Sequence, residues 1–292
     1  MNTDSAASGT LYLVPTPLGN EGDITLRAIE VLKGAAVIAA EDTRNAIQLL
    51  RRLGLSKPLL SYYDHNERQR APQLLGKLLA GESVALISDA GMPMLNDPGY
   101  HVLKEALEAG VRVEVLPGPS AITTALVASG LPATSFLFAG FLPRDAGPRE
   151  DAARALKDER HTLVLFESPH RIRESLESLK AILGNRRAAL AFELTKPRER
   201  IYRGPIGSIL DEISAGDPPM GEITLVLEGA ETPEIDWERP DRLIRELLRR
   251  NIEPRAIRDV VMAVFDLPKR AVYQRVLEAA RGSASSDVDD DA

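Results

Sequence analysis

The stretch SVALISDAGMPMLNDPGYHVL, residues 83–103, joins a short apolar run to an amphipathic segment through a loop with two glycines and two prolines. The apolar run predicts a buried strand, and the segment GYHVLKEALEAG that follows the loop predicts a helix. Glycine lets the backbone approach a ligand closely, and proline stiffens a loop so that little entropy is lost on binding. We therefore interpret this loop as one wall of a pocket for a small cofactor.

Outward from this stretch, residues 10–130 alternate between short apolar runs and helical segments. The predicted strands are TLYLVPT, AAVIAAE, PLLSYY, SVALISD and VRVEVLPG. The predicted helices are ITLRAIEVLKG, DTRNAIQLLRRLG, RQRAPQLLGKLLAG, GYHVLKEALEAG and PSAITTALVASG. Asp23 is expected to cap the first helix and Gly34 to end it. This alternation indicates an α/β domain with a mainly parallel sheet that is covered by helices on both faces.

Four polar loops follow the predicted strands: PTPLGNEGD, EDTR, SDAGMPMLNDPG and PGPSA. Each alone could be an ordinary turn, but the carboxyl ends of parallel strands share one edge, where ligands bind. The chain lacks both G-x-x-x-x-G-K-[ST] and G-x-G-x-x-G. The carboxylates in these loops would repel a phosphate and suit a ligand with positive charge and hydroxyls; they are Asp23, Glu41, Asp42 and Asp89. S-adenosylmethionine is one such ligand among several.

The second half of the chain predicts a further α/β domain and a small helical unit. FLFAGFLPRDAGPRED is interpreted as the crossing between domains, and the runs after it predict a mixed sheet that ends near Gly229. Residues 240–281 predict three short helices with helix-turn-helix-like spacing, which fits either nucleic-acid contact or a structural cap. The expected boundaries are 10–138, 139–229 and 240–281, with disordered tails at 1–9 and 282–292.

Composition excludes several classes of protein. The 292 residues include no cysteine and four scattered histidines, so we expect neither a disulfide framework nor a metal site. The N-terminus lacks the features of a signal peptide, and no apolar run approaches the ~20 residues of a membrane helix, so a cytoplasmic location is expected. The net charge is −7, yet residues 241–281 hold ten Lys and Arg against six Asp and Glu. Charge therefore neither excludes nor favours an RNA partner.

Eight segments in a fixed order carry a resemblance to a known family. They are LYLVPTPLGNEGDITLRAIEVL, VIAAEDTR, DHNE, ISDAGMPMLNDPGYHVL, LPGPSAITTALVASGLP, FLFAGFLP, ESPHR and ELTK. In this order they resemble the ribosomal RNA small-subunit methyltransferase I family, within the tetrapyrrole-methylase superfamily, from about Thr10 to Gly229. The three-helix tail is similar to that family's C-terminal helix-turn-helix unit.

The resemblance implies a two-domain tetrapyrrole-methylase-like fold with S-adenosylmethionine in the cleft between the domains, in a homodimer. It implies 2′-O-methylation of a cytidine in small-subunit ribosomal RNA, near the decoding site, with the RNA or the 30S particle as partner. Residues that match the family's cofactor-binding pattern are Pro17, Ser88, Asp89, Ala90, Gly91, Pro93, Ser120, Ala121, Leu142, Leu194, Thr195, Glu222 and Ile223.

The resemblance leaves the catalytic base open. The candidate catalytic residues within the motifs are Glu41, Asp42, Arg44, His170 and Lys196, with Asp89, Glu167 and Glu193 as further carboxylates. Asp42 also suits the cap of the helix that begins at Thr43, and Asp97 is interpreted as organising its own turn. Arg44 and Arg171 fit partners of RNA phosphate or of carboxylates, because a guanidinium suits planar oxyanions.

The chain departs from the family's pattern at five positions, which we expect near the cleft: Asn45, Tyr63, Met92, Phe192 and Met220. These residues replace hydrogen-bonding or positive groups with neutral or apolar ones, which would weaken RNA binding. Two alternatives to the RNA methyltransferase follow. One is a methylase of a small molecule such as a tetrapyrrole, which would not need the basic C-terminal unit. The other is a ribosome-associated binding protein without turnover.

Overall fold

The first half of the chain forms a parallel sheet in this computed structural model. The structure describes residues 8–216, 221–231 and 236–286. The strands of this sheet are β1 (Thr10–Leu13), β2 (Val37–Ala40), β3 (Leu59–Ser61), β4 (Val84–Ile87) and β5 (Arg112–Val115). They lie in the order β3-β2-β4-β1-β5, and every neighbouring pair is parallel. All residues of β2 and β4 are buried. These two central strands are apolar throughout because helices cover both faces of the sheet.

Four of the five helices predicted for this domain cover the sheet: α1 (Leu26–Gly34), α2 (Thr43–Arg52), α3 (Glu67–Leu79) and α4 (Tyr100–Glu108). On one face Leu32 of α1 and Leu50 of α2 pack in a single core cluster, and on the other Leu74 of α3 packs with Val102 of α4. The expected cap of α1 is wrong: Thr25, rather than Asp23, accepts a hydrogen bond from the N–H of Ala28. Asp23 is instead the last residue of a short 3₁₀ helix, Glu21–Asp23, which ends before α1 begins.

A mixed sheet forms the second half. Its strands are β6 (Phe136–Phe141), β7 (Thr162–Glu167), β8 (Arg187–Phe192), β9 (Arg200–Pro205) and β10 (Ile223–Leu227). Their order is β6-β7-β10-β8-β9, and only the β6–β7 pair is parallel. The helices of this half are α5 (Ala121–Ser129), α6 (Ala146–Ala155), α7 (Ile172–Leu183) and α8 (Ile206–Ala215). Ala153 of α6, Leu176 of α7 and Ile209 of α8 pack on one face of the sheet.

Helix α5 covers the other face of the second sheet. Its residues Ile122, Ala125 and Leu126 share a core cluster with Val164 of β7 and Val226 of β10. The chain therefore passes to the second sheet in the loop after β5. The segment interpreted as the crossing, residues 136–151, instead contains β6 and most of α6, and the expected boundary at 138/139 falls inside β6. Glycine, proline and charge mark the turn between these two elements rather than a change of domain.

The C-terminal helices are α9 (Glu238–Arg249), α10 (Pro254–Phe265) and α11 (Lys269–Ser286). They form a compact unit of their own, with a core of Ile244, Ile257, Val261, Val272 and Val276. Helix α11 continues to Ser286, beyond the expected end at residue 281. At the other terminus Gly9 lies in the structure and donates a backbone hydrogen bond to Leu78. The remaining tail residues, 1–7 and 287–292, fall outside the described part of the chain.

The helices within these described ranges include none that is both long and apolar enough to cross a membrane.

The position of α5 generates a stability prediction. Leu126 is 3 % exposed and its neighbour Val127 is 76 % exposed. Leu126→Ala should lower the free energy of unfolding by about 2–5 kcal/mol, because it leaves a cavity between α5 and the second sheet. Val127→Ala, the matched control, should change it by less than about 0.5 kcal/mol. Urea denaturation measures both, and equal losses would contradict the packing of α5.

Candidate active site

Three loops of the first sheet meet at Gly91, which follows β4. The backbone N–H groups of Thr16 and Gly91 each donate to the other residue's carbonyl at 2.9 Å, which joins the loops after β1 and β4. Gly91 has a left-handed backbone with φ of 79°, and a Cβ there would lie 3.2 Å from Cδ2 of Leu18 and 3.7 Å from the carbonyl oxygen of Pro119. Only glycine combines this conformation with such close approach at low cost. Because Pro119 follows β5, its closeness to Gly91 shows that the loop after β5 lies at the same point.

Asp89 joins the loop after β4 to the loop after β2. Its Oδ1 accepts from the backbone N–H of Asp42 at 3.1 Å, and its Oδ2 accepts from Nδ2 of Asn45 at 2.9 Å. A cavity of about 180 Å³ lies beside this contact, lined in part by Pro17, Gly19 and Asp89. Asp89, in the loop after β4, thus holds the two loops together at the rim of the cavity.

Asp42 and Arg44 act mainly on each other. Asp42 caps α2, as expected, by accepting from the backbone N–H of Arg44 at 2.8 Å. The Arg44 guanidinium pairs with the same carboxylate at 2.5 Å and leaves 85 % of its side chain exposed. These hydrogen bonds from Arg44 lower the pKa of Asp42 to about 2. Asp42 is accordingly a weak proton acceptor at neutral pH.

Two carboxyl groups beside Asp89 have raised pKa values. Burial raises the pKa of Glu41 to about 7, and the negative charges of Asp97 and Asp89 add to the rise. Burial also raises the pKa of Asp97 to about 6, although a hydrogen bond with the Ser88 side chain opposes it. Asp97 therefore interacts with Ser88 and Asp89 as well as lying in its own turn. A carboxyl group whose pKa lies near 7 is suited to general acid–base chemistry.

The loop after β8 is held by a cluster of three charged side chains. Nζ of Lys196 lies 2.9 Å from Oε1 of Glu193 and 3.3 Å from Oε2 of Glu222. The backbone N–H of Glu222 donates to Oε1 of Glu193 at 3.0 Å. Glu193 and Thr195 both have left-handed backbones, with φ of 50° and 64°. Non-glycine residues adopt this conformation at a cost, which the surrounding hydrogen bonds offset.

The loops after β1 and β8 are in contact, so the two sheets contribute to one site. The backbone N–H of Asn20 donates to Oγ1 of Thr195 at 3.2 Å. A Cβ at Gly19 would overlap Cγ of Lys196. Leu18 and Leu194 are buried in the same cluster beneath α5. The sequence alone hardly predicts this contact, because the loops after β1 and β8 are about 175 residues apart in the chain. Their glycine and polar residues are the only local signal of it.

The ESPHR segment, residues 167–171, contributes a structural ion pair. Glu167 is almost fully buried, and its Oε1 lies 2.6 Å from Nη2 of Arg171. Ser175 Oγ donates to Oε2 of Glu167 at 2.6 Å, and Arg171 Nη1 donates to the carbonyl of Leu142 at 3.2 Å. Arg171 is thus a carboxylate partner, one of the two roles the sequence indicates. His170 is exposed and makes no hydrogen bond or ion pair with any described residue.

The expected cofactor residues divide into two groups. Those in the loops after β1 and β4, at the start of α5 and in the turn after β8 border the meeting point of the loops; they are Pro17, Ser88, Asp89, Ala90, Gly91, Pro93, Ser120, Ala121, Leu194 and Thr195. Leu142 and Ile223 instead bury their side chains in the α6–α8 core. These two residues, and Glu222 beside them, could contribute only backbone or, for Glu222, its carboxylate.

The five positions that depart from the family pattern have different surroundings in the structure. Asn45 keeps a polar contact, through its hydrogen bond to Asp89. The expectation that Phe192 lies near the cleft is wrong, because strand alternation turns its ring into the α6–α8 core, where it packs edge-on against Tyr202. Tyr63 is 41 % exposed beside His65 and Met92 is half-buried. Met220 lies outside the described residues.

Across the described ranges, no group of three or more His, Asp or Glu side chains is arranged to hold a metal ion.

Comparison with known proteins gives a consistent result at the levels of family and fold. The model of the tetrapyrrole (corrin/porphyrin) methylases matches residues 10–210. The chain is 47 % identical to the ribosomal RNA small subunit methyltransferase I of Micromonospora olivasterospora, covering 96 % of this chain and 90 % of the relative. It is 43 % identical to the protein of the same name from Escherichia coli O157:H7, covering 93 % and 96 %.

Solved structures show the same fold at lower identity. The crystal structure of diphthine synthase has a TM-score of 0.59 at 18 % identity and covers 75 % of this chain and 90 % of its own. The uroporphyrin-III C-methyltransferase of Thermus thermophilus in complex with S-adenosylhomocysteine has a TM-score of 0.50 at 23 % identity, covering 75 % and 92 %.

The raised pKa of Glu41 predicts a pH dependence of stability. Its ordinary value is 4.5, so between pH 4.5 and about 7 the folded state keeps a proton that the unfolded state releases. The stabilising contribution of this proton is therefore lost as pH rises through that window. Glu41→Gln should raise the free energy of unfolding relative to the parent protein more at pH 8 than at pH 5.

Urea denaturation at the two pH values measures this difference. Glu30→Gln, at an exposed position of α1, controls for the loss of one negative charge. The same gain at both pH values in Glu41→Gln would show that the carboxyl group is not desolvated by folding.

Proposed function

We propose that this chain, which belongs to the tetrapyrrole (corrin/porphyrin) methylases and within them to the ribosomal RNA small subunit methyltransferase I proteins, methylates the 2′ oxygen of a cytidine in small-subunit ribosomal RNA. Its methyl donor is S-adenosylmethionine. The observation that carries the proposal is the 47 % identity to a protein of that name over 96 % of the chain, which extends beyond the methylase region into the C-terminal helices. The site described above supplies chemistry that fits the reaction.

The residues at the meeting point of the loops fit S-adenosylmethionine. This donor carries a sulfonium, an ammonium and ribose hydroxyls, and it supplies a methyl group already activated for transfer. Asp89 and its neighbouring carboxyl groups suit the positive charge and the hydroxyls. The absence of a side chain at Gly91 lets the loops after β1, β4 and β5 pack closely around this point. We assign the cofactor to this edge, between residues 88–93, the start of α5 and the turn at Leu194 and Thr195.

Glu41 is the group we assign to accept the proton of the ribose hydroxyl. It lies at the carboxyl end of β2, and its pKa of about 7 lets it be ionised in part at neutral pH while remaining a useful base. Positioning of the hydroxyl and exclusion of water by the surrounding loops then carry much of the rate.

The other candidates fit the base less well. Asp42 is held as a carboxylate by Arg44, and Arg44 is in turn occupied by Asp42. Burial opposes ionisation of Lys196, but hydrogen bonds and charges of Glu193 and Glu222 raise its pKa, so that it stays a cation. Its proposed role is to hold the loop after β8 against Gly19. His170 is exposed, and none of the described residues gives it a hydrogen bond or an ion pair that would orient it.

A homodimer in the cytoplasm completes the proposal. Strand β6 is an edge strand, and it leaves Phe136, Leu137 and Phe141 between 38 and 51 % exposed. An exposed, apolar edge strand favours association with another chain. A second copy of this chain is the partner we propose for it, and ribosomal RNA as substrate implies a cytoplasmic location.

The function is tested by mapping ribose methylation in small-subunit ribosomal RNA from cells with and without the gene. Loss of the gene should remove methylation at one cytidine. The parent gene should restore it, and Glu41→Gln should not, since the hydroxyl would lack its proton acceptor. Unchanged methylation at every ribose of the small subunit would contradict the proposal, whatever the behaviour of the variant.

The dimer is tested by light scattering of the purified protein. The mass should be about twice the 31.8 kDa of the chain, and Phe141→Lys should shift it toward a single chain by placing a charge at the interface. Leu107→Lys, at an equally exposed position on α4, serves as the control and should leave the dimer intact. A monomeric parent protein would rule out the assembly.

A further inference from the structure

The outer face of α11 combines cationic, aromatic and amide side chains. Lys269, Arg270, Tyr273 and Gln274 are all exposed, with Tyr273 at 42 %. Their spacing along the helix places them on one side. Val272 and Val276, in the core of the C-terminal unit, are fully buried along the adjacent side of the helix. The outer face is thus composed of side chains that the unit does not need for its own packing.

The cations of this face are uncompensated, unlike Arg275 and Arg250 of the same unit. Arg275, on the inner side of α11, pairs with Asp241 of α9 at 2.6 Å and stacks on Trp237. Arg250 pairs with Glu246 at 3.0 Å. The side chains of Lys269 and Arg270 make no hydrogen bond or ion pair with any residue in the described part of the chain. Their charge is therefore available to an external partner.

This combination has the chemistry of contact with unpaired nucleotides. Proteins recognise RNA mainly at single-stranded loops and ends, where an aromatic ring stacks on a splayed base and cations hold the adjacent phosphates. An amide side chain such as that of Gln274 can both donate to and accept from a base edge. A purely electrostatic surface would not need the exposed ring of Tyr273.

A second basic stripe offers a useful comparison. Arg242, Arg245 and Arg249 are exposed along α9 at helical spacing, but no aromatic side chain accompanies them on that face. The stripe suits a solvated surface or weak attraction to phosphate. The two faces can therefore be distinguished by mutation.

We propose that the outer face of α11 binds an unpaired segment of the ribosomal RNA substrate, with one base stacked on Tyr273 and flanking phosphates held by Lys269 and Arg270. The proposal rests on the proposed function, since it takes ribosomal RNA as the substrate. It assigns to the C-terminal unit the capture of substrate and leaves methyl transfer to the site at the edge of the two sheets.

The test uses the full chain and small ribosomal subunits purified from cells that lack the gene. Binding is measured over a series of salt concentrations, and methyl transfer gives KM and kcat. The double variant Lys269→Gln/Arg270→Gln should lower the slope of log affinity against log salt by about 1.4, from about 0.7 for each lost contact with single-stranded phosphate. KM should rise while kcat stays unchanged.

Tyr273 is tested separately. Tyr273→Ala should weaken binding about 5- to 150-fold, the range expected for one base stacked on an aromatic ring, without changing the salt slope. Tyr273→Phe should bind like the parent protein, because the ring is kept. Arg250→Gln, whose cation is already paired, is the control and should leave both affinity and slope unchanged.

Several outcomes would overturn the inference. One is parent-like affinity, salt slope and KM in the α11 variants while the parent protein binds and methylates the subunits. Another is a fall in slope only in Arg242→Gln/Arg245→Gln/Arg249→Gln. Binding of the parent to anionic lipid vesicles but not to subunits would also overturn it. Failure of the parent protein to methylate the subunits would instead count against the proposed function.

Discussion

Two backbone hydrogen bonds between Thr16 and Gly91 fix the arrangement on which the site depends. They form because β4 lies between β2 and β1 in the order β3-β2-β4-β1-β5. From this position the loop after β4 reaches both neighbours: Asp89 contacts the start of α2 on one side, and Gly91 contacts the loop after β1 on the other. Parallel strands bring the loops to one edge, and the strand order decides which loop is central to the site.

The second constraint is the placement of α5. Its first residues belong to the edge of the first sheet, yet its apolar side packs on the second sheet. This helix therefore couples the two halves at the point where their loops meet. Two further contacts join the halves near this helix. Asn20 donates a hydrogen bond to Thr195, and Gly19 packs closely against the side chain of Lys196.

Local signals in the sequence predict much of this structure. The alternation of apolar runs and helical segments predicts the parallel sheet, and the position of Asp42 before a helix predicts its capping role. Features that depend on distant residues are predicted less well. The orientation of Phe192 follows from the register of β8, which its own segment does not determine. Burial raises the pKa of Glu41, and the charges of Asp97 and Asp89, more than 40 residues away in the chain, add to the rise. The packing of α5 depends on strands that follow it.

The central claim is that loops from both sheets enclose the methyl donor at the edge defined by Gly91. A crystal structure of the chain bound to S-adenosylhomocysteine tests it most directly. The account predicts that the ligand lies between residues 88–93, the start of α5 and the turn at Leu194 and Thr195. A ligand bound elsewhere, with the space between these loops filled by side chains, would contradict it.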